Sequence, residues 1–458
     1  MAAVVKAQPW LNDEQRTLLA STASGAATVV VPESGGYVEV IERARGLIVL
    51  VAGGAGLAAF ELKTFLSTHK ALARVPTSAG TRQGGAFVIT RGDYSYVVGG
   101  GGLCVVDISG LDARGEAYDE PDASMALVSD ASHQVRLSQP WTKDAGFGPS
   151  STPEVVCTGV ETIHEHRRHV SETHVRITIK VPSMAAQIRG DVLFVVGGCG
   201  RLATFDISDP AKLPRKLGGC VTTVTTGGRL APGVNAAATE GGAHCLAHAS
   251  EPLLYVACGR GLAIVDVSDP SNPKPREWRA PVRLSQPWSK DVRFGPMETT
   301  TVLSTDVSTW DGNPGMAIVG DDLYVSGGKG VACFDISDPR NPVKRFRVAV
   351  GGSCVAYGEG TIYAIGGLCL AAIDARASPP RVVAKTSPGG ADVKYYADPE
   401  DGAGKLVIAG GGGLRVLAAD HTAWAPGDQL PLCDGPFYDG DSAPGEVTEV
   451  PGECCTIL

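Results

Sequence analysis

The sequence predicts an all-β protein, a seven-bladed β-propeller built from four-stranded antiparallel blades. Three observations predict it. One short pattern recurs seven times along the 458 residues. Each copy reads as strand, glycine turn, strand. No stretch sustains a helical period, apart from a few residues near Asp13 to Ala20. Repeats spaced about 40–50 residues apart indicate a solenoid, a propeller or an array. The content of one unit selects the propeller.

The fullest copy runs from Leu254 to Pro270, LYVACGRGLAIVDVSDP. Close relatives begin at Leu193, Leu323 and Tyr96, and looser ones at Leu47, Ile362 and Leu406. In the copy at Leu323, Leu323-Tyr324-Val325 is apolar, aromatic and β-branched, as strands are. Gly327-Gly328-Lys329-Gly330 follows, a composition suited to a tight turn that needs positive φ. Val331 to Phe334 is a second strand, and Asp335-Ile336-Ser337-Asp338-Pro339 ends it. Short Asp and Ser side chains bond back to the backbone there, and proline stops the ladder. A Gly-Gly step and a short apolar run precede five of the hairpins, as at Gly351-Gly352-Ser353-Cys354. A further run follows it, as at Lys344 to Val350. Four short strands make one blade.

This pattern resembles the LVIVD-repeat family of β-propellers. The resemblance spans about Val29 to Trp424, with three close and four looser copies; the first and last lack the Asp-Ile-Ser-Asp-Pro ending. It implies the propeller fold and a ligand- or partner-binding surface rather than one enzyme class.

The remaining segments follow in chain order. Residues 1–27 form an N-terminal extension, and 28–425 the propeller. Thr28 to Val31 sits where an outer strand belongs but has no preceding blade, so it is expected to complete the seventh blade and close the ring. Uneven repeat spacing places insertions near 111–183 and 281–313. Residues 426–458 are acidic and rich in Pro and Gly, and read as a flexible tail.

The net charge is −9, from 40 basic and 49 acidic residues, and no Lys/Arg cluster forms a nucleic-acid footprint. Twelve cysteines at irregular spacing, without CxxC, read as reduced core thiols of a reducing compartment. The Met1 to Lys6 start lacks a secretory h-region, which points to the cytoplasm.

Several motifs carry two readings. Gly54-Ala55-Gly56-Leu57-Ala58-Ala59 matches a dinucleotide fingerprint, but a strand follows it instead of a helix, so it reads as a repeat turn. No cofactor is expected. The Asp boxes (Asp206, Asp209, Asp266, Asp269, Asp335, Asp338) are turn caps or, less readily, calcium ligands; each offers two carboxylates where calcium takes six to eight oxygens. His164, His166 and His169 form a weak metal-ligand candidate beside Arg167 and Arg168, against a solvated strand or loop. The strongest signal is a twin. Arg136, Gln139, Trp141 and Lys143 recur as Arg283, Gln286, Trp288 and Lys290 at a constant offset, within RLSQPW segments. These are recognition loops, whose Arg and Trp anchor interfaces, or structural caps over a blade edge.

No nucleophile elbow, HExxH or Walker sequence appears. Innermost strands offer Glu39, Gln187, His244, Cys354 and Asp392 as polar groups. The expected function is a non-catalytic intracellular platform for a protein or small-molecule partner. The alternative is an enzyme acting at the channel mouth. The chain ends Cys454-Cys455-Thr456-Ile457-Leu458. Cys455 fits a prenylation box, and Cys454 could add palmitoylation, which would place the protein at the cytoplasmic face of a membrane.

Overall fold

In the computed structural model the chain is described over most of residues 37–112, 125–128, 164–180, 185–222, 243–276, 302–303 and 314–424, together with Thr28–Val29; some residues within these spans are excluded. Seven blades account for nearly all of it. Their innermost strands are Tyr37–Arg43, Ala86–Arg91, Ala185–Arg189, His244–Ala247, Met316–Val319, Cys354–Gly358 and Asp392–Ala397. Each pairs antiparallel with a second strand, which pairs with a third, which pairs with a fourth. Successive innermost strands pack side by side, and the seventh, Asp392–Ala397, packs on the first. The ring is therefore closed.

Each blade repeats one register. The second strand of blade five, Asp322–Gly327, pairs with Gly330–Asp335 from Asp322↔Asp335 to Gly327↔Gly330. Gly330 takes φ 148°. A Cβ there would lie 2.3 Å from the Val348 carbonyl oxygen, so both turn and outer strand require glycine. Apolar side chains of both sheet faces fill the spaces between blades. Tyr96, Tyr255, Phe60, Phe194, Phe205 and Phe334 are among the largest fully buried.

The Asp boxes are turn caps. Asp107, Asp206, Asp266 and Asp335 each accept from the backbone N–H two residues on, at 2.9–3.0 Å. They also couple blades. Thr204 in blade three donates to the Pro270 carbonyl of blade four's box at 2.6 Å. Tyr255 in blade four donates to the Pro339 carbonyl of blade five's box at 3.0 Å. Tyr363 in blade six reaches the Ala419 carbonyl of blade seven at 2.9 Å. A hydroxyl of the second or third strand thus bonds the carbonyl that ends the next blade's third strand or box.

Blade one differs from expectation. Where its box would stand, a helix runs from Leu62 to Thr68. Phe65 is buried and meets Phe60 edge-on at 5.2 Å. Seven residues are too few to carry a legible helical period. Thr28 and Val29 pair with Arg415 and Leu414 of blade seven, while Val30 and Val31 lie outside the described residues.

Closure at the centre rests on Asp392. This carboxylate is fully buried and accepts from the Val38 N–H at 2.9 Å, 354 residues away in blade one. It also accepts from its own neighbour Val393 N–H at 2.9 Å and from the Cys354 thiol of blade six at 2.8 Å. Lys394 Nζ lies 3.5 Å away. Blades six, seven and one therefore share one carboxylate. Replacing it by alanine leaves buried donors unsatisfied. Asp392→Ala is expected to cost about 3 kcal/mol or more in urea denaturation. A loss under about 1 kcal/mol would show that apolar packing closes the ring without it.

Candidate functional site

Register brings residues of seven distant strands into common layers around the axis. The outermost such layer contains Tyr37, Phe87, Ala185, His244, Cys354 and Asp392, each opposite the penultimate residue of its second strand. All six are buried. Tyr37 and Phe87 stack obliquely with centroids 5.0 Å apart, and Phe87 meets His244 edge-on at 6.0 Å. Phe87 belongs to blade two and His244 to blade four, and the small Ala185 of blade three lets the rings meet. This end of the axis is plugged by aromatic side chains.

Two residues further along, the layer is Glu39, Ile89, Gln187, Leu246, Ala317, Ala356 and Lys394. All but Ala356 are partly accessible. An innermost strand meets solvent at mid-length only through the central channel, so this layer lines it. Lys394 is walled in by neighbouring strands, yet 35% of its side chain is reachable. Glu39 accepts from Thr90 N–H at 3.0 Å and from Thr90 Oγ1 at 2.7 Å, which joins blades one and two. Gln187 Nε2 donates to the Ile188 carbonyl at 3.3 Å.

The channel mouth has two unlike halves. In blades one to three an arginine near the end of each innermost strand clasps the next blade. Arg43 binds Asp93 at 2.6 Å, Arg91 binds Asp191, and Arg189 donates to the Glu251 carbonyl. In blades four and five the wall is aliphatic, and blade six adds Tyr357. Leu246, Ala247, Ala317, Ile318, Val319 and Tyr357 line a cavity of about 490 Å³.

The electrostatics follow from burial. Burial raises the Glu39 carboxyl despite its two bonds from Thr90. Burial, reinforced by Asp392, pushes the Cys354 thiol up, so it is a donor rather than a thiolate nucleophile. Burial would lower Lys394, but neighbouring Asp392, Cys354 and Glu39 outweigh it and raise the ammonium. Burial and then Lys394 hold His244 down at about 4. Its Nδ1 has no hydrogen-bond partner among the described residues.

The structure thus bonds Cys354 to Asp392 and sets Glu39 and His244 within electrostatic reach of Lys394, while Gln187 stands in the Glu39 layer without bonding to it. Sequence reading passed over Lys394 and Thr90; their signal was position relative to the Gly-Gly step, legible only with strand register. The twin segments, Arg136 to Lys143 and Arg283 to Lys290, lie outside the described residues, as do Cys454 and Cys455. Their points of departure are described. Blade two's outer strand pairs Ala126 and Leu127 with Asp107 and Val106, and Val128 N–H then donates to the Val105 carbonyl at 2.9 Å. Blade four's pairs Lys274 and Pro275 with Asp266 and Val265, and Arg276 N–H donates to the Ile264 carbonyl at 2.8 Å. Both insertions leave from the same point of the repeat. In blade four the chain returns at Val302–Leu303, opposite Ala263 and Leu262. His164, His166 and His169 stand on a strand, His164–Ser171, paired with His174–Lys180; their side chains are outside the described part.

His244 generates a pH prediction. It is buried neutral, whereas the unfolded chain takes up its proton near 6.5. Stability is therefore full above about 6.5 and falls as pH drops toward about 4, by about 3 kcal/mol in all. Denaturation of wild type and His244→Phe at pH 7 and pH 4.5 checks this. The variant is expected to lose less stability on acidification; equal losses would remove His244 as the source.

Comparison with known proteins comes down to the repeat and the fold. Residues 87–112, 242–275 and 315–350 match the LVIVD repeat. No curated protein matches the sequence. Among solved structures, the β-propeller domain of Cps50 (Swd1) from Myceliophteria thermophila is 10% identical, with a TM-score of 0.45; the match covers 85% of this chain and 97% of that one. Sqt1 of Saccharomyces cerevisiae is 11% identical, with a TM-score of 0.42 and 82% of each chain covered. BamB from Moraxella catarrhalis is 11% identical, with a TM-score of 0.39, and the match covers 85% of this chain and 95% of that one. The matched repeats coincide with blades two, four and five, so three blades of this closed seven-bladed β-propeller carry the LVIVD repeat.

Proposed function

We propose that this propeller is a non-catalytic binding platform that recognises a partner through its twin insertions. The observation that carries the reading is their common point of departure. The described outer strands of blades two and four end at the same position of the repeat, and a near-identical RLSQPW segment follows each in sequence. In this reading the ring would offer the same Arg, Gln, Trp and Lys set twice, once after blade two and once after blade four. Rigid scaffolds carrying variable loops are the usual arrangement for recognition. Paired identical elements also favour a partner with two matching sites, because the second contact forms at high effective concentration.

The central polar groups support the non-catalytic part. The Asp392 carboxylate is engaged by blades one, six and seven, and the Cys354 thiol is kept protonated. Such a network holds strands together. An enzyme at the channel mouth is the second reading, favoured by the convergence of Glu39, Gln187 and Lys394 from three blades. We place the platform in the cytoplasm, tethered to a membrane by a prenyl group on Cys455 and a palmitoyl group on Cys454. One lipid alone anchors poorly, and the acidic tail would not help it.

Two outcomes test these proposals. Trp288→Ala should weaken capture of the partner by about 1–2 kcal/mol or more, with little change in thermal melting. A large drop in melting with unchanged capture would make the tryptophan a packing residue. For the tether, Cys455→Ser should release the protein from eukaryotic membranes and Cys454→Ser should release it in part. Wild-type protein that fractionates as soluble, with an unmodified tail by mass spectrometry, would end the tether proposal.

A further inference from the structure

We propose that the channel mouth binds a small zwitterion with an apolar body, such as an apolar amino acid or a short apolar peptide with free ends. The site is separate from the twin insertions, and nothing in the platform reading depends on it.

The argument starts from the layer that lines the channel. Glu39 and Lys394 stand at the same level of adjacent strands, in blades one and seven. They influence each other electrostatically but form no ion pair among the described residues. Two opposite charges are thus held side by side without touching. Each keeps spare capacity. The Glu39 oxygens accept from Thr90 N–H and Thr90 Oγ1, one bond each, and each oxygen has a further lone pair. The Lys394 ammonium has three donors and a single long contact, 3.5 Å to Asp392. A ligand ammonium would complete Glu39 and a ligand carboxylate would complete Lys394. Charge-assisted bonds of that kind are strong in a site largely shielded from water.

The opposite wall selects the rest of the ligand. Leu246 and Ala317 belong to the same layer as the two charges, and Ala247, Ile318, Val319 and Tyr357 extend it toward the mouth. The cavity of about 490 Å³ against this wall accommodates an aliphatic or aromatic side group. Small-molecule sites combine such an apolar wall with a few convergent polar groups. The far end of the channel is plugged by Tyr37, Phe87 and His244, so a ligand enters and leaves at this mouth.

The test is calorimetric titration of the full chain with phenylalanine and leucyl-leucine. Controls are N-acetyl-leucine amide, which has no charges, 3-methylbutylamine and 3-methylbutanoate. The zwitterions are expected to bind at least about tenfold tighter than every control. Glu39→Gln and Lys394→Met should each weaken them by about tenfold or more. Glu39 also joins two blades, so melting curves accompany both variants. Ala317→Phe fills the cavity without touching the charged groups and should abolish binding in a protein that melts normally. No saturable binding at millimolar zwitterion would overturn the proposal. So would equal binding of the uncharged amide, or binding indifferent to Ala317→Phe. Loss of partner capture on Trp288→Ala with zwitterion binding intact would confirm that the two sites are independent.

Discussion

A ring of seven blades has no natural end, and the chain must bring its last blade against its first. The Asp392 carboxylate does this at the smallest radius. It holds the Val38 N–H of blade one, the Cys354 thiol of blade six and the ammonium of Lys394 on its own strand. A fully buried carboxylate is costly unless its lone pairs are used. Here they are, and the cost of leaving them empty enforces the order six, seven, one. At larger radius the Tyr255–Pro339 and Thr204–Pro270 bonds repeat the same principle between other blades.

That closure shapes the channel. The layer holding Asp392 also holds Tyr37, Phe87 and His244, so the end that secures the ring is also the end that is sealed. The next accessible layer inherits the charge imbalance around Asp392. Lys394 answers it, and Glu39 is tied to blade two through Thr90. Polarity accumulates on blades seven, one, two and three. Blades four and five carry no equivalent demand, and Leu246, Ala317 and Ile318 leave that wall aliphatic. The arginine clasps follow the same division, reaching from blades one, two and three to their successors. A structure built from one repeat has become asymmetric around its axis.

The rim is organised by a different constraint. Blade four's outer strand is split, with Lys274–Pro275 and Val302–Leu303 paired to one third strand. A long excursion can begin and end on the same ladder without disturbing the inner strands. The outermost strand has a free edge, so insertion there costs the ring little. The chain leaves toward the duplicated segments from strands that tolerate an insertion best.

Local chemistry determined much of this protein from sequence alone. Strand, glycine turn, strand and Asp box follow from φ preferences, alternation and short-range hydrogen bonds, and the turn caps at Asp206, Asp266 and Asp335 needed no tertiary knowledge. The helix Leu62–Thr68 escaped because so short a segment is set by burial of Phe65 against Phe60 rather than by its own pattern. Glu39, Gln187, His244, Cys354 and Asp392 were recognisable as polar residues of innermost strands. Their grouping was not. A shift of one residue in a strand turns every side chain to the other face, and sequence does not state how seven separate registers align. Only the closed ring could decide that Val38 meets Asp392 across 354 residues, that Phe87 meets His244 over a small Ala185, and that Lys394 faces the channel. Those contacts join strands that share no local interaction, so their geometry exists only once all seven blades are in place.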